Sequence, residues 1–420
     1  MNPSSNGWIK KYFSLVKKPE KLLSEFDLTL TPEEFIYGQL QPTGLMYGFP
    51  TNFIFLNPDE TAHWSTEDKF KVLLLEGLMI SDYAHTRRFD IEDIEKYLGR
   101  FISFYESTEI GIARRSWLNF KGLDVFGKLE SILSQRVDIK LSLSHKLWTN
   151  YLHNSVVFQD LILYFEYYHG THPEIIADKR RMVLLDMMKL MAVAAHADGE
   201  IANEEAALFD IFMASARLDD LDYREAQLFW NEQKTLNEIA FDYEMSWLLK
   251  RYFIEVATLV VWSDKVVVPI EQIFLDNLSE KLKVDEEEQD KSFIAIQSFV
   301  LNNSETLPFL SGKSEMEQLM VGATAKWKKI LARNRDKLAL ELSQSKELVQ
   351  LIAKSTSKEL NEEEKVKLKR QFKDLAKTIP AFTLFMLPGG SLIMPLVLKL
   401  IPDLVPSAFR SNKVEKKKKA

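Results

Sequence analysis

Apolar positions along this chain recur three to four residues apart, and nowhere do they alternate for long enough to suggest a strand. Lys69–Ile80 repeats Leu and Val at that helical spacing, Ile91–Tyr105 follows, and Leu143–Tyr168 reads as a long aromatic helix. Trp8–Lys18 is a short basic amphipathic start, and Glu25–Glu60 has the Pro, Gly and Asn content of an irregular segment. Further on, Asn302–Gly322 reads as a linker. Trp327–Ala353 then predicts a charged helix with apolar positions at Ile330, Leu331, Leu338, Leu342 and Leu348. The pattern predicts an all-α fold.

The last fifty residues depart from it. Asn361–Lys377 is a charged amphipathic helix, with Asn361 and Glu364 spaced to cap its start. Thr378–Leu398 then runs without a charge, and Lys416–Lys419 closes the chain. About 20 apolar residues cross a bilayer core as a helix, so this stretch is just long enough. Pro380, Pro388, Pro395, Pro402 and Pro406 punctuate it, with Gly389 and Gly390 at its middle. Each proline removes a backbone donor, and in lipid such breaks survive only where other groups satisfy the freed carbonyls. The expected forms are a kinked span, a re-entrant hairpin hinged at Gly389–Gly390, or a pair of short buried helices. A soluble core hairpin is the alternative. Lysine on both flanks leaves the orientation open.

Charge reinforces the division. Residues 365–420 hold 13 Lys/Arg and 3 Asp/Glu, a balance of +10, so a whole-chain charge of −7 leaves −17 before them. An acidic body on a basic, apolar tail fits a membrane surface better than a nucleic acid, and no specific DNA binding is expected. Lys365, Lys367, Lys369, Arg370, Lys373 and Lys377 are placed to meet anionic lipid at about 1 kcal/mol each. The alternative is a solvated helix face.

The run Phe372-Lys-Asp-Leu-Ala-Lys-Thr-Ile-Pro380, the prolines that follow it, Lys399, and the close Pro406-Ser-Ala-Phe409 resemble the membrane region of the Letm family. These are leucine-zipper, EF-hand-containing transmembrane proteins of the mitochondrial inner membrane. The resemblance covers about 50 of the 420 residues. It implies membrane lipids as partners, and ion exchange or ribosome contact as roles, the latter through the basic helix. Family members continue into a large soluble domain similar to a ribosome-binding module, whereas this sequence stops 11 residues after Phe409. The D-x-D-x-D-G loop of the family's EF-hands does not occur.

Residues 181–300 carry an internal repeat at an offset of 66. Met187–Ala197 leads to Asp198-Gly199-Glu200-Ile201 and a helix with Glu205, Leu208 and Phe212. Glu255–Ser263 leads to Asp264-Lys265-Val266-Val267 and a helix with Glu271, Phe274 and Leu278. The next turn keeps register, Arg217-Leu218-Asp219 against Lys283-Val284-Asp285. The stretch Ala194–Glu205 looks like the TerB-like helical domain of tellurite-resistance proteins. That resemblance implies that Asp198, Glu204, Glu205, Asp264 and Glu271 could hold a divalent cation. Helix capping accounts for the same residues without one, and no cofactor is otherwise expected.

Other chemistry is scarce. Zero cysteines exclude disulfides, thiol catalysis and cysteine-ligated metals. His169 and His172 are spaced i, i+3 beside Gly170 and Pro173, which suits a turn between helices better than a zinc pair. No phosphate loop, dinucleotide fingerprint or nucleophile elbow occurs. Met1–Trp8 lacks the features of a secretory signal, so the body is expected in the cytosol. The expectation is a non-enzymatic, membrane-attached scaffold at a bacterial inner membrane. It also resembles bacterial proteins labelled Letm-related and biofilm-associated. Its parts are a helical region (1–175), a duplicated TerB-like module (176–301), a linker (302–324), charged and basic helices (325–377), a membrane segment (378–409) and a tail (410–420). The alternatives are a cation/proton exchanger acting as a homo-oligomer, and a soluble acidic metal or stress sensor.

Overall fold

A computed structural model of the chain describes residues 1–19, 23, 30–108, 122–137, 148–197, 199, 203–261, 269–303, 313–355, 358, 360–379, 382, 397, 398, 400 and 401. Every regular element among them is helical. The fold divides into two units, one comprising nearly all of Met1–Asp285 and the other most of the chain from Glu286 onward.

In the first unit, α1 (Trp8–Leu15) buries Trp8, Ile9 and Tyr12, and Glu130 accepts from the amides of Gly7 (2.8 Å) and Ile9 (2.9 Å). Helix α2 (Pro32–Leu40) lies inside the stretch predicted to be irregular. Its signal is legible in retrospect: Thr31 and Glu34 form a capping box and Pro32 stands at the first helical position. Helix α3 (Thr66–Thr86) is the centre of the unit and buries most of its residues from Asp68 to Ala84. Against it pack α2 and, further along the chain, α5 (Val125–Arg136) and α6 (Gln159–Tyr168), while α4 (Ile94–Thr108) lies mainly on α5. Gly77 lets α3 close on α6, since a Cβ there would collide with the Leu161 methyl groups. The expected long aromatic helix is a 3-10 stretch, Trp148–Phe158, continued as α6, while its first residues lie outside the described set. Polar side chains tie that stretch to its neighbours: Asn154 donates to the Gly48 carbonyl (3.3 Å), and the Ser155 carbonyl accepts from Tyr252 (3.0 Å).

The internal repeat is visible in the helix boundaries. Helix α7 (Pro173–Ala195) and α10 (Trp247–Val261) end 66 residues apart, and α8 (Asn203–Ala216) and α11 (Pro269–Lys281) begin 66 apart. So do α9 (Asp220–Asn231) and α12 (Glu286–Asn302), which makes each copy three helices. At the turn before the third helix, Arg217 (φ 49°) and Lys283 (φ 55°) both take the left-handed conformation, at the same offset and without glycine. The two-unit division falls between α11 and α12, inside the stretch 176–301 marked out by the repeat.

The second unit adds α13 (Lys313–Arg333), α14 (Arg335–Gln344), α15 (Lys346–Ser355) and α16 (Glu362–Thr378) to α12. The single helix expected over Trp327–Ala353 is broken twice. Asn334 turns its side chain back onto the Ile330 carbonyl (3.0 Å), and Ser345 caps α15 by accepting from the Leu348 amide (3.2 Å). Ile330, Leu331, Leu338, Leu342 and Leu348 are nonetheless all buried, as their spacing predicts. The predicted linker is helical from Lys313 onward.

The membrane expectation is not carried by any helix seen here: among the described residues none is long and apolar enough to cross a bilayer. Helix α16 stops at Thr378, one residue before Ile379 takes an extended conformation. Pro380, Pro388, Gly389, Gly390, Pro395, Lys399, Pro402 and Pro406 lie outside the described residues.

Candidate functional site

The basic helix α16 is held by a cap and an apolar stripe. Asn361 accepts from the Glu364 amide (2.9 Å) while Glu364 accepts from the Asn361 amide (3.0 Å), so the predicted capping box forms. Leu368, Phe372, Leu375 and Ile379 follow at helical spacing and are buried. Phe372 stacks on Phe382 at 5.2 Å between centroids, and Phe382 meets the fully buried Trp327 edge-on at 6.1 Å. The entry to the apolar segment is thereby fixed on protein side chains. Polar contacts set the helix azimuth: Thr378 donates to Glu341 (2.8 Å), Ser345 to Gln371 (3.0 Å), and Gln371 to Glu347 (3.3 Å).

That azimuth leaves Glu363, Lys365, Val366, Lys367, Arg370 and Asp374 exposed. Of the six predicted basic contacts, Lys365, Lys367 and Arg370 therefore face solvent. Lys367 stands 3.9 Å from Glu347, a separation at which water competes freely. The side chains of Lys369, Lys373 and Lys377 lie outside the described set. The exposed side is thus a stripe of cations with one apolar residue, Val366, and acidic residues at both ends. Such a face can engage phosphates through charge and release them with salt.

The acidic set suggested for a cation is divided. Asp198 and Asp264 lie outside the described residues, and Glu204, Glu205 and Glu271 occupy the first turns of α8 and α11 with side chains not described. Among the described residues no group of three His, Asp or Glu is arranged to hold a metal ion. His169 ends α6 and His172 precedes α7, so the pair does form the turn between them. His169 also meets a histidine remote in the chain, with His85 Nδ1 3.2 Å from its Nε2.

Sequence reasoning missed a different class of residue: four carboxylates with no solvent exposure, each receiving a tyrosine hydroxyl. Glu76 accepts from Tyr12 (3.1 Å) and from the amides of Ile54 (2.7 Å) and Phe55 (3.4 Å). Asp82 accepts from Tyr164 (2.8 Å) and Arg100 (3.1 Å). Asp160 accepts from Tyr105 (3.0 Å) and a two-point Arg136 fork (2.6 and 2.7 Å). Glu255 accepts from Tyr37 (2.8 Å), Tyr47 (2.6 Å) and Arg251 (2.9 Å), whose guanidinium lies 4.2 Å from the Tyr37 ring centre. Burial pushes the Glu76 carboxyl up to about 7, against hydrogen bonds that favour its ionised form. Burial likewise raises Glu255, against its arginine. An acidic residue amid an apolar run, as in Leu75-Glu76-Gly77-Leu78, was the available signal.

Comparison with known proteins bears on the C-terminal helix. Residues 360–420 match the family model described as "LETM1-like, RBD". The chain is 32% identical over 81 residues to the LETM1 domain-containing protein YLH47, mitochondrial, of Saccharomyces cerevisiae. It is 34% identical over 83 residues to the LETM1 domain-containing protein mdm28, mitochondrial, of Schizosaccharomyces pombe. These alignments cover 19% and 20% of this chain and 17% of each relative. No solved structure matches the chain at a significant level. The C-terminal segment, α16 included, is therefore similar to the Letm family, and the matched part of that family is the one described as its RBD.

Proposed function

We propose that this protein is a non-enzymatic scaffold that holds a ribosome at a membrane, with α16 as the contact. The observation that carries this is the coincidence of two facts. The stretch matched as LETM1-like RBD, read as a ribosome-binding domain, begins at the capped helix. That helix buries its apolar stripe and turns Lys365, Lys367 and Arg370 to solvent. Ribosomal RNA offers a dense phosphate surface for such a stripe. Membrane attachment is assigned to residues 378–409, and the TerB-like resemblance makes the repeated helices the body of the scaffold. The setting proposed from the sequence is a bacterial inner membrane, and both relatives carry "mitochondrial" in their names.

The test uses membranes from cells expressing the full chain. After alkaline carbonate extraction the protein stays in the pellet, and before extraction ribosomes co-sediment with the membranes. The variant K365E/K367E/R370E keeps the membrane association but releases the ribosomes. In the purified system it also shallows the salt dependence by about one unit of slope per lost phosphate contact. Ribosome binding that is equal in the variant, or a chain washed off by carbonate, defeats the proposal. Ion flux in proteoliposomes of the same protein would point instead to the exchanger.

A further inference from the structure

The C-terminal ends of α3 and α6 bring together two histidines that stand 84 positions apart in the chain. His85 lies in the last turn of α3, His169 is the residue that ends α6, and both are exposed. His85 Nδ1 is 3.2 Å from His169 Nε2, and the two rings meet edge to face at 4.5 Å between centroids.

Packing below the pair sets this spacing. Gly77 admits Leu161 against α3, and Asp82, one turn before His85, accepts from Tyr164 at 2.8 Å. Each ring is also held from the side, His85 by Tyr168 (4.7 Å between centroids) and His169 by Phe165 (4.3 Å). His169 Nδ1 sits 2.8 Å from the Phe165 carbonyl, which can only accept, so that nitrogen carries the proton. The neutral ring therefore keeps its lone pair on Nε2, the atom nearest His85. A histidine that donates its far N–H to a backbone carbonyl is oriented as metal-ligating histidines are. Two nitrogens bound to one tetrahedral zinc-type ion stand about 3.3 Å apart, and this pair is already close to that separation. Without an ion, His85 Nδ1 donates to His169 Nε2. With its proton carried on Nε2 instead, His85 turns a second lone pair toward the same point.

We infer that His85 Nδ1 and His169 Nε2 form a two-point site for a borderline divalent cation of the zinc type, with water completing its coordination. The neighbouring carboxylates are engaged elsewhere. Asp82 is taken by Tyr164 and Arg100, and Asp90 by Arg88 (2.8 Å) and Arg100. The site thus offers imidazole nitrogen and no anionic oxygen, which selects Zn2+, Ni2+ or Cu2+ over the oxygen-seeking Mg2+ and Ca2+. A cation held there ties the end of α3 to the end of α6. The site lies wholly in the first unit and is independent of ribosome docking.

The test titrates the full chain, freed of metal by chelator, with Zn2+ at neutral pH. Calorimetry and thermal unfolding are read together, with Mg2+ and Ca2+ as comparison cations. The expected result is saturable Zn2+ binding with a rise in Tm, and neither with Mg2+ or Ca2+. In the wild type the imidazole nitrogen resonances of His85 and His169 should move on binding, a readout that needs no variant. His85→Ala and His169→Ala should each weaken binding by more than about tenfold, a loss that removing even an outer-shell partner can cause. Because both side chains are exposed, neither variant should lower the Tm measured in chelator. His172→Ala removes the next histidine in the chain and should bind as the wild type does. Absence of saturable Zn2+ binding by the wild type overturns the inference. So does binding that His85→Ala and His169→Ala keep in full, binding that His172→Ala abolishes, or resonance shifts confined to other histidines.

Discussion

The N-terminal unit seats four carboxylates where solvent does not reach, each bound by a tyrosine on another part of the chain. The C-terminal unit places Asp290 at comparable depth but surrounds it with cations that remain partly in water: Lys326 (3.6 Å), Lys329 (3.8 Å) and Arg333 (3.0 Å). The difference is one of dielectric. At Asp160 and Glu255 both charged partners are buried, so they interact strongly and had to be matched atom by atom to offset desolvation. Charges in the second are screened, so its cohesion rests on the stripe of Leu368, Phe372, Leu375 and Ile379 and on the rings they meet. A unit of the first kind tolerates few substitutions at its polar core. One of the second kind can vary its charged face freely, as a docking surface that acts through charge requires.

Removing a dry carboxylate is the severest test of that contrast. Glu255→Ala leaves the buried Arg251 charge without its carboxylate and two tyrosine hydroxyls without their acceptor. It should cost about 3–5 kcal/mol in urea unfolding. Lys329→Ala, at a screened pair in the other unit, serves as the control and should cost about 0.5 kcal/mol or less. A loss at Glu255 as small as that of the control would break the distinction between the units.

A milder perturbation is available through pH. The Glu76 carboxyl sits at about 7 in the fold against an ordinary 4.5, so the folded state holds its proton more tightly than the unfolded chain. The stability this contributes is complete below pH 4.5 and is lost as pH rises through 7. The total is about 3 kcal/mol at 1.36 kcal/mol per pH unit. Glu76→Gln removes the titration, so the difference in unfolding free energy between wild type and variant should change across pH 4.5–7 and level off above it. A difference that stays flat across that window would show that the amides of Ile54 and Phe55 and the Tyr12 hydroxyl keep Glu76 ionised.

How much of this was legible follows the same division. In the second unit the apolar spacing of Ile330 through Leu348 and the Asn361–Glu364 cap are local signals, and both survive in the structure. The breaks at Asn334 and Ser345 were missed, where a short polar side chain competes with the helix backbone, and so was the helix that begins at Lys313 inside the expected linker. In the first unit the decisive contacts are remote. Tyr37 meets Glu255 across 218 positions, and Tyr164 meets Asp82 across 82, separations that no periodicity encodes. The repeat was readable because its turns are local.

The smallest effect tests whether the basic helix behaves as a local element. Asn361→Ala removes the acceptor for the Glu364 amide and with it half of the capping box, which typically costs about 1 kcal/mol. The apolar stripe begins only at Leu368, so the loss should appear as fraying of the first turn and not as release of the helix. Amide exchange at 363–366 should quicken by about fivefold, while α3 and α10 in the first unit keep their protection. Lys365 and Lys367 sit on or just beyond that turn, so the ribosome affinity proposed for α16 should fall by less than in K365E/K367E/R370E and with an unchanged salt slope. Full release of Phe372 and Leu375 by this one substitution would mean that the cap, and not the packing of Phe372 on Phe382, holds the C-terminal helix in place.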